Sequence, residues 1–323
     1  MLSRPAAYVV YPTATLAGVT AAWLLFRDAP AEPSGENELP HRCAALADGA
    51  PDADATMHLA PTEPLVVGVV ADARGATPAT LDNLEAARVA FREARVDLVL
   101  TLGGMGATGE ELAAVYGALA EGSEAPVVAI PGDREPLFAH REAIASLGAR
   151  HPVVDGSAIR AIVAGDTTIA TFPGIGEVSQ IVAGSEGCYY ESGDADMLAT
   201  WLQRRAGTKV WAGYAPPRQR GSTASDLVGG VHIGDPSLGR AMRASEATLA
   251  LHGLVNEASL GEPSGERILD EDAGPIALAP GPVEAMPVLG RRRGASFGAA
   301  LIVRVDPPRI EWERLSVAAD DSR

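Results

Sequence analysis

Five short blocks carry most of the residues that could do chemistry, and each follows a run of apolar residues. Asp72-Ala73-Arg74-Gly75 follows Leu65–Ala71, Gly103-Gly104-Met105-Gly106 follows Asp97–Leu102, and Gly132-Asp133-Arg134-Glu135 follows Pro126–Ile130. Gly213-Tyr214-Ala215-Pro216-Pro217 follows Thr208–Ala212, and His252-Gly253-Leu254-Val255-Asn256 follows Thr248–Leu251. Asp72, Asp133 and Glu135 are carboxylates of the kind that hold divalent metals or move protons. His252 and Asn256 could add a nitrogen and an amide oxygen. Arg74 and Arg134 carry fixed positive charge, which suits bidentate pairing with a carboxylate or phosphate and opposes a bound cation.

These blocks need elements to position them. Leu65–Ala71 is an uninterrupted apolar run, as expected of a buried strand. Thr77-Pro78 supplies a cap and a first-turn proline to a helix carrying Leu81, Leu84, Ala87, Val89 and Phe91. A second strand over Asp97–Leu102, a helix over Glu110–Leu119, a third strand over Pro126–Ile130 and a helix over Pro136–Leu147 continue the alternation. Such a pattern predicts βαβ units and a parallel or mixed sheet. The second half predicts more antiparallel structure. Ala161–Val163 and Thr168–Phe172 form a hairpin around Gly165-Asp166, and Ala299–Val305 and Ile310–Leu315 form another around Asp306-Pro307-Pro308. A helix over Asp194–Arg205 and strands over Thr208–Ala212 and Thr248–Leu251 lie between them, with a long Gly/Ser/Arg-rich loop from Pro216 to Arg240. Ligands of open α/β sheets gather at the carboxyl ends of strands, where all five blocks fall.

The order of the blocks resembles the calcineurin-like metallophosphoesterase family, whose pattern is D-x-H, G-D, G-N-H-D/E, a lone His often followed by Pro-Pro, and G-H-x-H. The resemblance runs from Leu65 to Leu315. It implies an α/β fold built as a four-layer α/β/β/α sandwich with two mixed sheets, and a pair of divalent metals (manganese, zinc or iron) between the sheets for phosphoric ester hydrolysis. The departures from the pattern bear directly on that chemistry. Asp72 keeps the first Asp, but Arg74 stands in place of the first His and Gly104 in place of the metal-bridging Asp. Asp133 replaces the Asn, Arg134 the catalytic His, and Tyr214 the lone His. Leu254 and Asn256 replace both histidines of the last block, and His252 lies just before it.

A two-metal centre needs several hard donors around cations about 4 Å apart. Leucine and glycine cannot donate, and arginine repels the metal. Asp72 and Asp133 are the residual candidate ligands. The expectation is that Arg–Asp pairs have replaced the metal centre and that no cofactor is bound. The domain is then a degenerate, non-catalytic binding or scaffold domain. The alternative is an active metal-dependent phosphoesterase with an atypical site built from Asp72, Asp133, Glu135, His252 and Asn256.

Other readings use the same residues. Gly104-Met105-Gly106-Ala107-Thr108-Gly109 is a G-x-G-x-x-G between a strand and a helix, as in a dinucleotide-binding turn, with Asp133 as a ribose acceptor. Its strand is not the first of the sheet, however. Arg74, Arg134, Arg218, Arg220 and Arg291–Arg293 could line an anion site, or pair with surface carboxylates. Nucleophilic hydrolysis has no support, because there is no G-x-S-x-G and no histidine in a recognisable acid–base setting.

Composition narrows the partners. Hydrophobic residues at 47% and charged residues at 21% exclude wholesale disorder. A net charge of −16 opposes nucleic acid and anionic lipid headgroups, leaving an unknown protein or a small anionic ligand as partner. Residues Pro5–Phe26 carry no charge and are long enough to span a bilayer as a helix. Residues 1–28 therefore read as a membrane anchor, or as a signal peptide cleaved near Ala29-Pro30-Ala31. Residues 29–64 read as a flexible linker, 65–316 as the folded domain and 317–323 as a disordered tail. The expected location is a bacterial inner membrane facing the periplasm, or export to the periplasm or cell surface. Cys43 and Cys188 lack any zinc-site spacing and form either one disulfide of an exported chain or two unrelated thiols.

Overall fold

The computed structural model describes residues 40–46, 51, 54–60, 63–182, 185–220, 224–228, 230–255, 264–268, 275–285 and 297–318. The apolar run Pro5–Phe26, Asn256, Arg291–Arg293 and the tail from residue 319 lie outside them. Among the described residues no helix is long and apolar enough to cross a membrane.

The first described elements are two short strands, β1 (His41–Arg42) and β2 (Thr56–Leu59). The βαβ half follows: β3 (Leu65–Val70), α1 (Pro78–Glu93), β4 (Leu98–Leu102), α2 (Gly109–Ala120), β5 (Val127–Ile130), α3 (Leu137–Leu147) and β6 (Val153–Asp155). Local chemistry sets these boundaries. Thr77 caps α1 by accepting the Thr80 N–H, and Pro78 occupies its first turn. Thr108 and Glu111 cap α2 reciprocally as a capping box. Strands β3, β4 and β5 are buried along their whole length, which is why they read as unbroken apolar runs.

The second half holds β7 (Ala161–Ala164), β8 (Thr167–Phe172), β9 (Cys188–Tyr189), α4 (Ser192–Gln203), β10 (Thr208–Gly213), β11 (Leu227–Val228), β12 (Val231–His232), α5 (Pro236–Ala244), β13 (Leu249–His252), β14 (Ser264–Ile268), β15 (Ile276–Leu278), β16 (Ala299–Asp306) and β17 (Arg309–Ser316). Both expected hairpins form, β7 with β8 and β16 with β17.

Two mixed sheets result. One has seven strands in the order β14-β17-β16-β3-β4-β5-β6, the other six in the order β15-β13-β10-β8-β7-β2. In the first, β3 to β6 run parallel and β16 joins antiparallel. In the second, β8, β10, β13 and β15 run parallel and β7 is reversed.

Three buried clusters define the layers. Between the sheets, Val67, Leu100, Leu102 and Ile130 of the first pack against Ile169, Val210 and Leu251 of the second. The outer face of the first sheet packs Val66, Val70, Val99 and Val127 against Leu84 and Phe91 of α1 and Leu112, Val115 and Leu119 of α2. The outer face of the second packs Ala170, Phe172, Trp211 and Ala250 against Leu198 and Leu202 of α4 and Leu238 and Met242 of α5. The architecture is thus the four-layer α/β/β/α sandwich.

Two expectations differ from what forms. The segment read as a linker, 29–64, contributes to the body where it is described: β2 pairs with β7, and β1 pairs with β9. Four residues of edge strand show too little alternation to stand out from their surroundings. The stretch 216–240 read as a loop contains the start of α5. Asp235 caps that helix by accepting the Ser237 N–H, and Pro236 follows at its first turn. Gly239 made it look loop-like, but a Cβ there would lie 2.7 Å from the Arg218 carbonyl oxygen, so this glycine serves close packing.

Candidate functional site

All five blocks contribute residues where β3, β4, β5, β10 and β13 end. Asp72 is 2% exposed and lies just past β3. Its N–H donates to the Gly103 carbonyl at 2.9 Å, and its Oδ2 accepts the Leu254 N–H at 3.0 Å. The next contact explains Gly104: a Cβ at that position would collide with Asp72 Oδ1, and its φ of +70° is one that side chains rarely adopt. Asp72, Arg74 and Leu254 also hold positive φ, at 53°, 55° and 65°. Sparsely populated backbone of this kind concentrates at ligand sites.

Asp133 is 5% exposed, and Tyr214 lies beside it. Asp133 Oδ1 is buried without a hydrogen-bond partner. The Tyr214 ring lies against Gly103 and Gly132, where added Cβ atoms would come within 2.5 Å and 2.7 Å of it. Ile175 and Ile181 complete a small buried cluster with Tyr214, and Tyr189 and Leu254 pack on its edge. The space between the strand ends is therefore filled by side chains.

The remaining polar groups are committed to the backbone. Glu135 is fully buried, and its two oxygens accept the Met105 N–H at 2.5 Å and the Gly132 N–H at 2.8 Å. It ties the loop after β4 to the loop after β5. Glu111 Oε2 accepts the Ala107 N–H at 2.8 Å and the Thr108 N–H at 3.3 Å. Amides of the G-x-G-x-x-G stretch, which would cradle a phosphate in a dinucleotide site, thus already bind carboxylates.

Arg74 ion-pairs with Glu284 at 3.3 Å, and its charge acts on Asp72 and Asp133 through space. Arg134 acts on the same two carboxylates. Arg218 donates to the His232 carbonyl at 2.9 Å, in a loop of the other sheet. His252 does not join the cluster. Alternation along β13 sends Leu249 and Leu251 into the core between the sheets, and His252 to the side of Ala250. There its Nε2 meets Ser225 Oγ at 2.8 Å and its Nδ1 the Gly253 carbonyl at 3.1 Å.

Burial dominates the electrostatics. It pushes the Asp72 carboxyl up to about 7 and the Asp133 carboxyl up to about 6, with Arg74 and Arg134 opposing. Burial also raises the Tyr214 hydroxyl well above its ordinary value and lowers His252 to about 4.

The donor set does not fit a pair of metals. Among the described residues no group of three or more His, Cys, Asp or Glu could hold a metal ion. Of the residues gathered here, Glu135 is occupied by two amides, Asp72 by one, and the others are arginines, glycines, a leucine and a tyrosine beside Asp133.

The disulfide lies beside this cluster. Cys43 and Cys188 are bonded, with their Cα atoms 5.4 Å apart, and so the two-thiol reading is set aside. The Cys188 N–H donates to the Gly132 carbonyl at 2.9 Å, and Ser185 Oγ donates to the Asp133 carbonyl at 2.6 Å. The cross-link therefore anchors the segment that covers Asp133. Sequence reasoning did not single out Glu284, Ile175, Ile181 or this covering segment.

No family model matches the sequence, and no curated protein matches it. Solved structures do. The TT1561 protein of Thermus thermophilus is similar at a TM-score of 0.54 and 15% identity, over 79% of this chain and 100% of that one. A dimetal phosphatase from Danio rerio is similar at a TM-score of 0.50 and 13% identity, over 80% of this chain and 100% of that one. The fold is that of the calcineurin-like metallophosphoesterases.

Proposed function

We propose that this chain is a non-catalytic binding or scaffold domain on a metallophosphoesterase fold. The observation that carries the reading is Tyr214, whose ring fills the space between the strand ends beside Asp133. Catalysis on this fold needs metal ligands at those strand ends, and the residues present supply three buried carboxylates, one of them held by two amides, and two cations. The Cys43–Cys188 bond supports presentation outside the cytoplasm, because disulfides persist in oxidising compartments.

The test is metal content, measured by mass spectrometry after incubation with manganese and zinc and removal of excess. Hydrolysis of p-nitrophenyl phosphate and its bis ester is assayed on the same samples. Near-zero metal and no hydrolysis are expected. Tightly held metal with metal-dependent turnover would instead make it a phosphoesterase working through Asp72 and Asp133.

A further inference from the structure

A groove of about 640 Å³ opens on the other side of Tyr189, between the loop after β8 and the first turns of α4 and α5. We infer that it docks a basic, apolar peptide segment of a partner protein. Glu177, Val178, Tyr189, Glu191, Ile233 and Asp235 form its wall, and among the described residues no lysine or arginine lines it.

Two properties define the occupant. The first is exposed apolar surface. Among the described residues the large exposed hydrophobics are Phe138, Val178, Val231 and Ile233. Val178 and Ile233 line the groove, and Val231 is two residues from Ile233. Apolar surface that continues past the cavity suits a partner chain better than a small molecule.

The second is charge. Both helix N-termini facing the groove are already capped by carboxylates, α4 by Glu191 with Asp194 and α5 by Asp235. Their amides leave little to attract an anion. Glu191 pairs with Arg42 at 3.0 Å, and Asp235 accepts the Tyr190 hydroxyl at 2.6 Å. Glu177 is exposed and takes only the Ser179 hydroxyl at 3.2 Å among the described contacts. With a net charge of −16 on the chain, the complementary ligand is cationic.

The inference deepens the binding-domain reading by naming its surface and partner. Metal content, measured separately, tests that reading, so the two can fail independently. The experiment selects phage-displayed random dodecapeptides on the disulfide-intact chain, then measures the affinities of the selected peptides. Net-basic peptides with an apolar anchor are expected. Their affinity should fall at least about tenfold with Glu177→Lys and with the Val178→Ser/Ile233→Ser pair, while Phe138→Ser leaves it unchanged. Acidic or neutral peptides, equal affinity for all variants, or no selected peptide would each overturn the inference. All four substituted residues are exposed, and thermal melting confirms that the variants remain folded.

Discussion

Tyr214 lies beside Asp133 while its ring rests on Gly103 and Gly132, so one side chain fills the space between the strand ends next to a buried carboxylate. Tyr214→Phe keeps the ring and removes the hydroxyl. It should cost about 1 kcal/mol, through loss of a polar neighbour of the buried Asp133 carboxyl. Urea unfolding measures this, and an unchanged midpoint would show that the hydroxyl contributes nothing.

Gly104→Asp restores the metal-bridging residue of the resembled pattern. It should not restore a metal site, because the new Cβ would collide with Asp72 at a strained backbone angle. A loss of at least about 2 kcal/mol is expected from strain and overpacking together. A variant as stable as the parent and holding manganese would refute this account.

Stability should depend on pH through opposed groups, Asp72 and Asp133 on one side and His252 on the other. Asp72, with its carboxyl raised to about 7, binds a proton in the folded state that the unfolded chain releases near 3.8. Its contribution is present at low pH and is lost as pH rises from about 4 to about 7. His252, lowered to about 4, contributes stability above 6.5 that is lost as pH falls toward 4. Asp72→Asn should therefore flatten the decline toward pH 7, and His252→Gln the decline toward acid. Chemical unfolding at several pH values separates them, and parallel curves for the parent and both variants would dismiss the assignment.

Removing the cross-link with Cys43→Ser should destabilise the fold by about 2–5 kcal/mol. Hydrogen exchange should rise first at Cys188 and Tyr189, whose segment lies over Asp133. Exchange that rises uniformly instead would mean that the disulfide does not anchor this segment in particular.

Much of the fold was legible in the sequence because its causes are local. The runs behind β3, β4 and β5, the Thr77 cap and both hairpin turns each depend on residues a few positions apart. The identities at Arg74, Gly104, Tyr214 and Leu254 likewise led to the expectation that the usual metal donors are missing. Tertiary structure decided the rest. Only packing could bring Cys43 to Cys188 across 145 residues, turn Arg74 to Glu284, and commit Glu135 to amides of two separate loops. The facing of His252 followed from strand alternation once β13 was placed, and the acidic groove from two helix starts and a loop meeting in space. Such contacts join residues distant in the chain, and their geometry is set by how the layers close on one another rather than by any local pattern.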